Sequence, residues 1–315
     1  MASPDELVVV SGYYNPCRYH SRRKNHDLFC ESLDAQGVTH LTLEYAFPGQ
    51  DFELPEALHV LRVPAGTPCF QSERLYNLLA SWLPETCRYV AWVDCDVLFA
   101  NPNWAAEAVQ ALQAYPVVQL FERCHRLPEN GELSQASVVD SLGAVMQRAG
   151  WATPQGNLDK HGHTGYAWAM RRELFDEVGL YEGAIAGVAD HMMAHAFYAD
   201  YGTCVEAFIG TSPRQMAHFR AWGAQMHARV QGRLGVVAGD ITHLWHGRAE
   251  NRRYLEQLHL LCHLDYDPAT DIVAPFGRPV EWSKGFNKPA VRQMLDQYFI
   301  RRREDGDMVG GSSNA

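Results

Sequence analysis

Hydrophobic positions change their period from one stretch of the chain to the next. Leu7-Val8-Val9-Val10 is an unbroken apolar run, the pattern of a buried strand, and Asn25 to Ala35 carries a helical period. Val38 to Glu44 and Leu58 to Val63 return to strand patterning. From Gln71 to Leu83 the apolar residues Leu75, Leu78, Leu79 and Trp82 recur at helical spacing, and Pro84 predicts where that helix stops. Tyr89 to Val93 is again a strand. Strands that are apolar on both faces and alternate with helices predict an α/β fold with a mostly parallel sheet covered on both sides. Ligands of such sheets collect at the carboxyl ends of the strands, so polar clusters there deserve the first look.

The second half is less regular. Its pattern predicts a helix at Val138 to Ala149, a strand at Tyr166 to Met170, a helix at His191 to Tyr198 and a strand at Val236 to Thr242. Helices at Asn251 to His263 and Pro289 to Arg302 complete it. No linker-like composition separates the halves, so the expectation is a single domain over 1–303, with halves of about 1–125 and 126–303. The acidic, then Gly/Ser-rich stretch 304–315 is expected to be a disordered tail.

Composition narrows the classes. At 315 residues and 47% hydrophobic content the chain can bury a substantial core, which excludes a disordered or fibrous protein. With 27 Lys and Arg against 37 Asp and Glu, no overall basic surface invites nucleic acid or membrane. MASPDELVVVSGYY lacks a basic n-region and a long apolar run, so the expected location is the cytoplasm, without membrane attachment. The eight cysteines form no CxxC pair and are expected as reduced thiols.

Arg88 to Phe99, RYVAWVDCDVLF, sets Asp94 and Asp96 at the end of an apolar strand, and strict alternation would send both to the same side. Two hard oxygen ligands suit Mg²⁺ or Mn²⁺ shared with substrate phosphates. Two Asp can also simply end a strand in a turn. The apolar setting, where an unpaired carboxylate is costly, favours the metal.

The stretch YVAWVDCDVLFANPNW resembles the DxD strand of GT-A glycosyltransferases, nucleotide-diphospho-sugar transferases whose fold is a Rossmann-like mixed, mostly parallel sheet flanked by helices. Gly162 to Tyr181 is similar to the Gly-rich loop of galactosyltransferases and polypeptide N-acetylgalactosaminyltransferases, which implies donor-side roles for Gly165 and Trp168. Those enzymes carry an acidic xED motif next. Here Gly187 to Met193 matches it, with Asp190 at the last acid and Ala189 where Glu is usual. His243-Leu-Trp-His246-Gly247 resembles the C-terminal metal-binding histidine, and His246 beside Gly247 is the better match. Ser11, Gly12 and Tyr14 at the end of the first strand, with Arg74 and Asn77 on the helix before the DxD strand, fall where the family contacts nucleotide.

The resemblance therefore implies Mn²⁺ or Mg²⁺ on Asp94, Asp96 and His246, and a nucleotide-binding half followed by an acceptor half. It implies transfer of a sugar, a hexose from a UDP-sugar by expectation, with Asp190 as base if the anomeric centre inverts. The residues leave inversion and retention both open, since the family contains both.

The acceptor is addressed by Thr211 to Val237, which carries four Arg, two His and no acid. Arg252, Arg253 and Arg301 to Arg303 would extend such a basic track. The closing stretches HGRAENRRYLEQLHLLCHLDYDPATDI and YFIRRRED resemble transferase-like proteins of phages and large viruses. Together they raise the expectation of a hydroxymethylated DNA base as acceptor, for which the base must be extruded. The alternatives are a glycan acceptor on a protein or small molecule, and an inactive sugar-nucleotide-binding module, which Ala189 favours. A nucleotidyltransferase ranks last, because SGYYNPCRYHSRRK lacks a Gly-rich phosphate loop.

Overall fold

The computed structural model describes residues 6–63, 66–202 and 210–306. The elements run β1 (Leu7–Tyr13), α1 (His20–Ala35), β2 (His40–Tyr45), β3 (Val60–Val63), α2 (Ser72–Leu79), β4 (Tyr89–Val93), β5 (Val97–Phe99) and α3 (Trp104–Ala114). Then follow β6 (Val117–Gln119), β7 (Arg123–Arg126), β8 (Ser137–Asp140), α4 (Leu142–Ala149), α5 (Leu158–His161), β9 (Ala167–Arg171), α6 (Arg172–Val178) and α7 (Ala189–Ala196). The chain continues through α8 (Pro213–Val230), β10 (Leu234–Val236), β11 (Asp240–His243), α9 (Tyr254–His263), α10 (Pro268–Asp271), β12 (Ile272–Val273), β13 (Glu281–Trp282) and α11 (Pro289–Arg301).

The main sheet has the order β10-β6-β9-β4-β1-β2-β3. Its β2, β3 and β4 neighbours run parallel, as do β10 and β6, while β9 is antiparallel to both β4 and β6. The expected mixed, mostly parallel α/β sheet is what forms. Every residue of β1 is buried, because strand alternation supplies two cores at once. Val8 and Val10 pack with Leu75 and Leu79 of α2, Met192 of α7 and Phe219 of α8, whereas Leu7 and Val9 pack with Phe29 of α1 and Trp104 and Val109 of α3.

Several expected boundaries shift for local reasons. The helix expected to reach Leu83 ends at Leu79, followed by a single tighter turn over Ala80–Trp82, and Trp82 swings out of the apolar stripe to 61% exposure. Pro84 disfavours helical backbone at the residue before it, and Leu83 is extended there. Val138 to Asp140 are strand rather than helix; α4 starts after Ser141, whose hydroxyl accepts from Ala144 N–H. The strand expected at Val236 to Thr242 is two strands in different sheets, since Gly239 between them takes φ +114°. The basic stretch after Thr211 is mostly α8, whose Ser212 cap and Pro213 at the first turn were a legible start signal.

A second sheet, β5-β11-β7-β8, departs from the carboxyl end of β4. In its antiparallel β5–β11 ladder His243 stands opposite Val97, and Leu244 N–H donates to Asp96 O at 2.8 Å. Two strands far apart in sequence are thereby joined beside Asp96. The seven cysteines among the described residues are free thiols, as expected; Cys204 lies outside them. No described helix is long and apolar enough to cross a membrane.

The expected tail boundary at Glu304 needs correction. Glu304 is 1% exposed and paired with Arg22 at 3.1 Å and with the buried Arg302. Asp305 accepts from the backbone N–H groups of His20 and Ser21 at the start of α1. Two guanidinium groups converging on one buried carboxylate outweigh its desolvation, so 304–306 are fastened; 307–315 lie outside the described residues. Burial pushes the Glu304 carboxyl up, but Arg22 and Arg302 hold it well below its usual range. A depressed carboxyl stabilises the fold above the unfolded value of about 4.3 and loses that contribution as the pH falls below it. Glu304→Ala should destabilise by roughly 3–5 kcal/mol in urea titrations at pH 7. The exposed Glu250→Ala should stay within about 0.5 kcal/mol, and the gap between the two variants should narrow at low pH.

Candidate metal and diphosphate site

The turn Asp94-Cys95-Asp96 closes with Val97 N–H donating to Asp94 O at 3.2 Å. The two carboxylates sit in different surroundings, and the charge of Asp96 is felt at Asp94. Asp94 is open to solvent and its carboxylate lies 3.5 Å from the Tyr76 hydroxyl, while Asp96 is buried.

Asp96 faces two imidazoles. His243 Nε2 is 3.6 Å from Oδ1, His246 Nε2 is 3.4 Å from Oδ2, and the two Nε2 atoms are 3.1 Å apart. Asp96 Oδ1 has no hydrogen-bond donor, an expensive state for a buried carboxylate oxygen. One ligand atom from each of the three residues falls within 4.8 Å of the others. An orphaned carboxylate oxygen and two imidazole nitrogens pressed together are a donor set that a divalent cation would satisfy. Asp96, His243 and His246 thus form a candidate donor set that differs in one member from the expected Asp94, Asp96 and His246. His243 was visible as the first residue of the HxxH motif; only its place at the end of β11 puts it on the same centre.

Cations crowd the same spot. Arg252 Nη2 donates to His246 Nε2 at 2.8 Å, Arg302 Nη2 lies 3.2 Å from His246 Nδ1, and Arg252 Nε has no partner. Burial and the Arg252 charge push the His246 imidazole down to about 3, so it is neutral and a competent ligand. His243 is held well below its ordinary value by burial and the same arginine.

Asp190 lies in the first turn of α7, which follows Val188 in left-handed backbone at φ 66°. A Cβ on Gly165 would come 2.6 Å from Asp190 Oδ2, so the glycine is what lets this carboxylate lie against the loop. Burial raises the Asp190 carboxyl above its usual range, with the N–H groups of His191 and Asp190 opposing. Glu73, in the first turn of α2, is a further buried acid pushed up to about 8 by burial, then by the charges of Asp190 and Asp94. Asp94 is raised in turn: its surface is open, but the dense protein around it and the Asp96 and Asp190 charges favour the protonated form. Glu73 and Arg252 were not singled out as members of this centre, since nothing local marks either one.

The remaining expected contacts are placed elsewhere. Ser11 is buried and bonds Thr42 at 2.9 Å, and Gly12 packs under Leu75. Tyr14 is 3% exposed, bonds Ser72 at 3.0 Å and meets Phe299 of α11 edge-on at 5.7 Å, so its ring is packed under α11. Arg74 pairs with Glu182 at 3.2 Å and donates to Arg278 O and Pro275 O; Asn77 bonds Leu180 and Glu182. They clamp α2 to the segment after α6. Trp168 is 2% exposed, stacks on Trp92 and gives its N–H to Thr164 O, a core role.

The basic track is largely neutralised as well. Arg214 pairs with Asp265 at 3.2 Å, Arg229 pairs with Glu177, Arg220 lies over Tyr201, and Arg302 is buried.

No protein-family model matches this chain, and no curated protein matches it. Among solved structures it is similar to the catalytic domain of Drosophila β1,4-galactosyltransferase 7 in complex with xylobiose, at 14% identity and TM-score 0.34. That match covers 74% of this chain and 64% of the other, so the chain spans less than two thirds of that structure. A glycosyltransferase involved in glycosylation of the major capsid of PBCV-1 is 14% identical, with 79% and 98% of the two chains covered and TM-score 0.30. A 4-diphosphocytidyl-2C-methyl-D-erythritol synthase from Anaerococcus prevotii is 12% identical, with 75% and 88% covered and TM-score 0.36. At these values the chemistry rests on the chain's own residues. By that geometry His243→Ala should weaken Mn²⁺ binding in calorimetric titration as severely as His246→Ala, by more than about tenfold. Unchanged affinity in His243→Ala would restore Asp94 to the ligand set.

Proposed function

We propose that the chain is a glycosyltransferase that moves a sugar from a nucleoside-diphosphate sugar, a UDP-sugar by expectation, to an acceptor hydroxyl. The observation that carries this reading is the convergence of Asp96, His243 and His246 beside Asp94 at the carboxyl end of β4, with Asp190 across Gly165. A divalent cation held by Asp96, His243 and His246 would neutralise charge developing on a diphosphate leaving group. Two imidazoles with one carboxylate fit Mn²⁺ better than Mg²⁺, which prefers oxygen ligands.

The other roles follow from the side chains themselves. Arg252, whose guanidinium adjoins His246, would meet diphosphate oxygens in the fork geometry that guanidinium offers. Asp190, raised above an ordinary carboxyl by burial, is the group to take the acceptor proton if the configuration inverts. Neither its place nor its protonation distinguishes the stereochemistry, which product-anomer NMR reads directly.

A DNA acceptor requires free positive charge, and the pairing of Arg214 and Arg229 with acids removes much of it. The reading therefore leans to an acceptor hydroxyl without a polyanionic backbone, with a glycan as its natural context. Duplex binding whose logarithm falls steeply with the logarithm of salt would reinstate the DNA acceptor.

Asp96→Asn should abolish metal-dependent release of UDP or sugar transfer while leaving the melting temperature of the metal-free protein near wild type. Asp190→Asn should lower kcat by about 10²–10⁴-fold with little change in donor affinity. Full turnover in Asp96→Asn would sink the proposal, and donor binding with no release from the wild-type protein would identify the inactive module instead.

A further inference from the structure

A second group of imidazoles lies buried apart from Asp96. His191 and His195 are four residues apart on α7, which puts them on one helical face, and His161 ends α5 against them. All three are buried, His161 and His195 completely, and one ring nitrogen from each falls within 4.8 Å of the others.

Hydrogen bonding fixes two of the tautomers. Carbonyl and carboxylate oxygens accept, so His161 Nδ1–H donates to Gly162 O at 2.9 Å and His195 Nδ1–H donates to Asp200 Oδ2 at 3.0 Å. A neutral imidazole has one N–H. With both rings neutral, the two Nε2 atoms present lone pairs that face each other 3.4 Å apart.

A cation would turn this opposition into bonding. Zinc–nitrogen bonds of about 2.0–2.1 Å in a tetrahedral site place neighbouring nitrogens roughly 3.3–3.4 Å apart, which is the spacing found between His161 and His195. The Asp200–His195 contact is the carboxylate support that metal-bound histidines commonly receive.

We propose that His161, His191 and His195 bind a zinc ion that pins the 161–165 loop to α7. An all-imidazole set selects zinc over Mg²⁺ or Mn²⁺. Its position gives it a task. His161 begins the loop that ends at Gly165, and His191 follows Asp190, so one ion fixes both partners of the Gly165–Asp190 contact. The inference stands independently of sugar transfer.

The test uses the full chain carrying Asp96→Asn and His243→Ala, which disables the other centre. After chelator treatment, reloading with Zn²⁺ and desalting, elemental analysis should find about one zinc per chain, and zinc should raise the melting temperature. Co²⁺ in its place should give the intense visible bands of a tetrahedral site. Adding His195→Ala should remove the metal and the bands. Asp200→Asn should weaken zinc affinity about 10–100-fold with circular dichroism unchanged, which keeps the test valid even if the histidine variant folds poorly. Retention of less than about a tenth of an equivalent in the parent, or undiminished zinc affinity in Asp200→Asn together with metal retained in His195→Ala, would overturn the proposal.

Discussion

The antiparallel ladder between β5 and β11 is the constraint on which the site depends. Pairing of Val97 with His243, continued by Leu244 N–H to Asp96 O, sets an imidazole against a carboxylate from a distant part of the sequence. Strand register has a period of two, so a slip of one residue would turn His243 to the opposite face and dissolve the cluster. The ladder is short, and its position is secured because β11 also pairs with β7 while β5 continues from the turn that ends β4.

Holding those groups together has an electrostatic consequence that extends to the end of the described chain. Asp96, His243 and His246 are desolvated, and the nearby charge of Arg252 and Arg302 keeps His246 neutral. Arg302 is in turn balanced by Glu304, which also takes Arg22 of α1. The C-terminal segment thus serves the site and the fold through the same carboxylate. Removing Glu304 would leave Arg22 and Arg302 buried without compensation, which is why that substitution is costly.

On the other side of the centre, the loop from His161 to Gly165 approaches α7 at two levels. Gly165 lies against Asp190, and His161 lies against His191 and His195 one layer deeper. One short loop therefore reaches both Asp190 and the buried histidine pair of α7. Thr164, whose carbonyl takes the Trp168 N–H, ties the same loop to the main sheet.

Much of the framework was legible in the chain. The apolar runs at Leu7 to Val10 and Tyr89 to Val93 could only be strands buried on both faces, and the strand–helix alternation called for a mostly parallel sheet; burial and periodicity are local, and they held. Asp96 and His246 were marked by motif. What no local pattern contained was the company each residue keeps: that Asp94 is exposed where the strand ends, that His243 comes to Asp96, that Tyr14 disappears beneath α11, and that Arg252 meets His246. Those outcomes depend on strand register, on which helix covers which strand and on which charges are desolvated together. They are long-range properties that only the tertiary structure decides.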